Sequence, residues 1–129
     1  MSYENSILLS IKKLLGIESE YDCFDVDIII HVNSVFLVLN QLGVGPEEPF
    51  EIFGDEEEWT DFFSLSESIP INLVKSYMYL KVRLLFDPPN TGVLHEAMER
   101  QVQEFEWRLK VQAECGPKKG EEVQDGTLG

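Results

Sequence analysis

The chain has 129 residues, 43% of them hydrophobic and 11% aromatic, and a formal charge of −14. This is enough apolar surface to build a modest core, which excludes a disordered polypeptide, and too little length for two ordinary domains. The acidity excludes a surface made to grip DNA, because affinity for phosphates comes from clustered Lys and Arg that release condensed counterions.

The first predicted element is a helix in which Ile7, Leu8, Ile11, Leu14 and Leu15 recur at three- and four-residue spacing. Asn5 or Ser6 can cap it, Lys12 and Lys13 suit its last turn, and Gly16 can end it. A second helix is predicted over residues 24–42, with Asp25 and Asp27 near its N-terminus and Gly43 as its stop. Its apolar residues Ile28, Ile29, Ile30, Val32, Val35, Phe36, Leu37, Val38, Leu39 and Leu42 lie nearly all round the helix, a pattern that marks burial on several sides. Asp25, Asp27, His31, Asn33 and Asn40 interrupt it too often for a membrane span.

Residues 43–70 form an irregular excursion punctuated by Gly45, Pro46, Pro49, Gly54 and Pro70 around the acidic run GDEEEWTDFF. Within it residues 57–63 fit a short helical turn with Trp59, Phe62 and Phe63 on one side, and residues 50–53 fit a strand. A third helix is expected from an Asn72 cap to about Phe86, where Asp87, Pro88 and Pro89 stop it. A fourth starts at Asn90 or Thr91 and reaches about Ala113, with Leu94, Met98, Val102, Phe105 and Leu109 as one apolar stripe. Glu96 with Arg100, Glu104 with Arg108 and Glu106 with Lys110 are spaced as ion pairs along it. The tail, CGPKKGEEVQDGTLG, has almost nothing apolar to bury. The fold class is therefore mainly α: a small bundle of about four helices in one domain, residues 1–114, followed by a flexible polar tail, residues 115–129.

Charge is distributed unevenly along this plan. Between residues 14 and 74 there are fourteen acids and no Lys or Arg, whereas elsewhere ten acids balance ten bases. Cys23 and Cys115 lack metal-ligand spacing and read as free thiols in a reducing compartment, and the N-terminus carries no export signal.

Signs of catalysis are sparse. Asp27 with His31 and His95 with Glu99 each juxtapose a carboxylate and an imidazole on a helix, but no Ser or Cys nucleophile can be linked to either pair. Asp55, Glu56, Glu57, Glu58 and Asp61 lack the alternating acids and mid-loop glycine of a calcium loop, so a solvated acidic loop is expected with no metal and no cofactor. Polar residues inside the apolar second helix form two seams, Asp27, His31, Ser34 and Gln41 on one and Asn33 and Asn40 on the other, which can fix register between neighbouring helices. Trp107 falls with Val93 and Val111 on the side of the fourth helix opposite its main stripe, where it can serve a subunit contact or pack within the subunit.

The opening ILLSIKKLLGIESE, the long apolar helix beginning FDVDIII, and above all NLVKSYMYLKVRLLFDPPNTGVLHEAMERQVQEFEWRL resemble the head-tail connector, or adaptor, proteins of long-tailed bacteriophages and prophages, over about residues 5–112. The resemblance implies a non-catalytic virion protein, made in the host cytoplasm, that assembles into a ring, commonly of twelve subunits, below the portal. Such a ring continues the DNA channel without binding DNA specifically and docks a tail-side stopper or terminator; no membrane is involved. Candidate interaction residues are Glu47, Glu48, Asp55, Glu56, Glu57, Glu58, Trp59 and Asp61 of the excursion and Val93, Trp107 and Val111 of the fourth helix. The alternative is an acidic helical regulator or inhibitor that binds a basic partner protein.

Overall fold

The computed structural model describes residues 5–65 and 69–114 and is helical, with elements α1 (Ile7–Leu14), α2 (Asp25–Gln41), α3 (Trp59–Phe63), α4 (Ile71–Phe86) and α5 (Gly92–Glu114). The four long predicted helices are all present, and α3 is the short helical turn expected inside the excursion. The polar tail, residues 115–129, lies outside the described residues.

Helix α1 starts where Ser6, in an extended conformation, offers its hydroxyl oxygen to the amide of Leu9 at 3.3 Å. It buries Ile7, Leu8 and Ile11 against the rest of the chain. Helix α4 does not start at an Asn72 cap: Pro70 is the N-cap, and Asn72 sits exposed within the first turn. Proline has no N–H to leave unsatisfied and its fixed φ suits a helix entry, so it competes successfully with the asparagine. Helix α5 opens under Thr91, whose hydroxyl accepts from the Leu94 amide at 3.3 Å.

The organising element is α4, which packs against both α2 and α5, while α1 packs against α2. Val74, Tyr77, Met78 and Val82 of α4 meet Ile28, Val32, Val35, Phe36 and Leu39 of α2 and Val102 and Leu109 of α5 in one continuous core. Helix α2 is correspondingly buried along one face only. Val26 is 69% exposed, Ile30 58% and Leu37 45%, so the burial on several sides expected from its all-round apolarity is not realised within the subunit.

The excursion is anchored at both ends. Asn33 and Asn40, one heptad apart on α2, face it together. The Asn33 carboxamide donates to the carbonyl of Ile52 at 2.9 Å and accepts from the Ile52 amide at 2.8 Å. Asn40 Nδ2 donates to the carbonyls of Pro46 and Glu47. The seam predicted to align helices therefore holds irregular backbone, because a carboxamide reproduces the donor and acceptor of a peptide group where no strand partner exists. At the far end the Ile7 amide donates to the Glu57 carbonyl, the Trp59 amide to the Asn5 carbonyl, and the Ser6 hydroxyl to the Asp55 carbonyl. No strand forms among the described residues; the expected strand at residues 50–53 is irregular chain held at Ile52 by the Asn33 side chain, and an isolated bridge joins Ser6 and Glu58.

Beneath the excursion lies an aromatic cluster. Phe36 meets Phe50 and Phe62 at centroid distances of 5.1 and 4.9 Å, and Trp59 stacks on Phe63 at 5.8 Å. Gly45, at φ 96°, lets the chain pass over Phe62, where an added Cβ would lie 3.1 Å from ring carbons.

Candidate interaction surfaces

The acidic residues of the excursion divide into two groups. Glu57 folds its carboxylate back onto the loop, accepting from the amides of Phe53 at 2.9 Å and Gly54 at 3.4 Å. Glu58 and Asp61 form a reciprocal capping box on α3, in which Asp61 accepts from the Glu58 amide at 2.9 Å, and Glu58 also accepts from the Asn5 carboxamide at 3.0 Å. Glu47, Glu48, Glu51, Asp55 and Glu56 are exposed. Phe53, between them, is 77% exposed and forms with residues 54–57 the wall of an open cleft.

Trp59 is a correction to the predicted surface. It is 2% exposed, its indole N–H donates to Ser10 Oγ at 2.9 Å, and the Lys75 ammonium lies 5.6 Å from its ring centroid. Apolar spacing alone could not distinguish a displayed tryptophan from one folded back onto α1, since Ser10 and Lys75 are distant in sequence.

Helix α5 presents a second surface. Its buried stripe carries Met98, Val102 and Leu109, and the opposite stripe carries Val93, 83% exposed, Trp107, 65% exposed, and the half-buried Val111. Among the described residues nothing buries Trp107 within the subunit. Arg100 and Glu104 lie between these apolar residues, and Arg108 pairs with Glu104 at 2.6 Å, as its spacing predicts. Glu106, expected to pair with Lys110, instead accepts from the Tyr77 hydroxyl at 2.7 Å and lies 3.5 Å from Lys81, both on α4. Burial, followed by the neighbouring Glu106 carboxylate, raises the Tyr77 pKa well above the usual tyrosine range.

The third surface escaped prediction. On α2 the exposed Val26, Ile30 and Leu37 form a narrow apolar stripe. The signal was present: Asp27, Ser34 and Gln41 run along its flank and mark a solvent boundary, which the surrounding apolar residues obscured.

The imidazole pairs acquire no catalytic setting. His95 lies 3.8 Å from Glu99 on exposed α5, and His31 packs edge-on to Phe86 with ring centroids 6.4 Å apart. Among the described residues no three His, Cys, Asp or Glu side chains converge where they could hold a metal ion, and no helix is long and apolar enough to cross a membrane.

A family model for phage connector proteins matches residues 7–116, which span every helix. The chain belongs to the phage connector protein family. It is thus a structural component of the phage particle from a family of head-tail connectors with no enzymatic role. No curated protein and no solved structure shows significant similarity to this connector.

Proposed function

We propose that the helical part of this connector, residues 1–114, is one domain that assembles as a ring between portal and tail, continues the DNA channel and docks a tail-side protein. The match across all five helices carries this reading. Two features of the chain support it. Apolar stripes on α2 and α5 remain uncovered within one subunit, as a ring-forming protomer requires. The fourteen acids between residues 14 and 74, without a Lys or Arg among them, suit a conduit through which DNA passes unheld.

In this reading the exposed Glu47, Glu48, Glu51, Asp55 and Glu56 face the channel or the tail-side partner, while Glu57, Glu58 and Asp61 hold the loop that displays them. The test is deletion of the connector from its phage: filled heads and free tails that fail to join, with joining restored by added connector, are expected. Normal tailed particles without it would overturn the reading. Neutralising the five exposed acids to amides separates their role from folding, since none of them is among the carboxylates that secure the loop. Impaired DNA passage or tail joining with an unchanged melting temperature supports the assignment, and unimpaired particles exclude it.

A further inference from the structure

We propose that the apolar stripes on α2 and α5 are the two halves of one head-to-tail contact between copies of this chain. The stripe of Val26, Ile30 and Leu37 in one subunit receives Val93, Trp107 and Val111 of the next. The inference rests on the connector reading and names the surfaces through which its ring would close.

Three observations lead to this pairing. Each stripe lies on a helix whose opposite face is committed to the core: Ile28, Val32, Val35, Phe36 and Leu39 on α2, and Met98, Val102 and Leu109 on α5. Neither can therefore turn inward without unfolding the bundle. Next, the two stripes have different electrostatic settings. The α2 stripe sits in the segment with fourteen acids and no base, beside exposed Asp22 and Asp27, whereas α5 mixes three bases with five acids, with exposed Arg100 and Lys110 near Trp107 and Glu104 paired with Arg108. A two-fold contact through α2 would press two base-free acidic segments together; placing α2 on α5 of a neighbour sets it against a helix of mixed charge and so repels it less. Finally, a self-complementary contact ends at a dimer and leaves the other stripe exposed, whereas a heterologous contact leaves a free half at each end and continues until a ring closes. Trp107 has the size and rigidity of an interface anchor, and the shallow stripe on α2 is apolar enough to receive it.

The pairing makes a prediction that does not depend on the detailed register. One variant blocks the α2 half, Ile30→Glu with Leu37→Glu, and another blocks the α5 half, Trp107→Glu. All three positions are exposed in the subunit, so circular dichroism and melting temperature serve as controls for folding. Particle mass is then measured for wild type, for each variant and for an equimolar mixture, up to millimolar concentration. Oligomers of wild type, monomers of each variant alone, and a dimer that grows no further in the mixture are expected. Oligomers of either variant alone, or a mixture that stays monomeric, overturn the pairing but leave the ring reading intact. Should wild type assemble only on isolated portal, the same four samples are compared there, and a closed ring formed by either single-face variant overturns the pairing. Wild type that forms no ring under any of these conditions sinks both readings.

Discussion

Truncating Asn33 to Ala tests whether the excursion is held by two side chains of α2. The Asn33 carboxamide makes two hydrogen bonds to Ile52, at 2.9 and 2.8 Å, and Ile52 itself is fully buried. Each bond is worth about 1 kcal/mol net, and stranding the buried Ile52 amide adds on the order of 1–3 kcal/mol. Asn33 is half-buried, so water reaches part of the vacated space and draws the expected loss to the lower end, about 3 kcal/mol. Urea unfolding should show a lower midpoint at unchanged slope, and hydrogen exchange at the Ile52 amide should accelerate even where the helices remain protected. Asn33→Asp sharpens the test. It retains the acceptor for the Ile52 amide but sets a carboxylate oxygen against the Ile52 carbonyl, so it should rescue little. A loss below about 0.5 kcal/mol for Asn33→Ala, the range of neutral surface changes, would refute the clamp.

Three further outcomes follow from the packing. Tyr77→Phe removes a hydrogen bond to Glu106 and should cost about 1 kcal/mol at neutral pH. Because folding raises the Tyr77 pKa above its ordinary 10.0, the native state favours the neutral phenol; that stability is complete below pH 10 and is lost as pH rises beyond it, so alkaline unfolding curves should fall less steeply for Tyr77→Phe than for wild type. Gly45→Ala forces a side chain to φ 96° and drives its Cβ against a Phe62 ring fixed by Phe36 and Phe50; a loss of about 2 kcal/mol or more is expected in thermal melts. Lys12, with its side chain fully buried, lies 2.8 Å from Asp25 and donates to the Ser19 carbonyl at 3.1 Å. Asp25→Ala leaves that ammonium without its counterion and should cost about 2–3 kcal/mol by chemical denaturation, whereas Lys12→Met, which removes the buried charge itself, should be nearly neutral.

Elements governed by local chemistry could be read along the chain. The four long helices, the Ser6 cap and the Asp-Pro-Pro break between α4 and α5 follow from apolar spacing, hydroxyl capping and the missing proline N–H, all of which act within a few residues. What escaped prediction depends on partners far away in sequence. Asn33 and Asn40 were visible as a polar seam, but their partners, the backbone groups of residues 46, 47 and 52, could be known only once the excursion had folded over α2. Trp59 and Phe53 lie six residues apart in the same acidic loop, one buried beneath Lys75 and the other exposed, and composition treats them alike. The α5 surface was legible because its helix is polar enough for Trp107 to stand out against its neighbours. The α2 surface was hidden because an exposed stripe on an apolar helix resembles the buried stripe beside it.

Two of the cations at the edges of the acidic segment are engaged within the subunit. Lys12 is buried and held by Asp25 and Ser19, and Lys75, immediately after the segment, lies over the Trp59 ring, while Lys13 is exposed. Glu47, Glu48, Glu51, Asp55 and Glu56 project their charge into solvent from a loop that Asn33, Asn40 and Glu57 keep in place. Screening at physiological ionic strength extends over about 8 Å, so two subunits sense this polarity only as their surfaces come close. At that range acid meeting acid is repelled, whereas the α4 and α5 side, where six bases balance six acids over residues 75–114, opposes it with no net charge. The uneven charge therefore acts before the apolar stripes touch, favouring the head-to-tail encounter over the two-fold one. Added salt should weaken this preference more than it loosens rings already formed, because buried apolar contact, once made, is insensitive to screening.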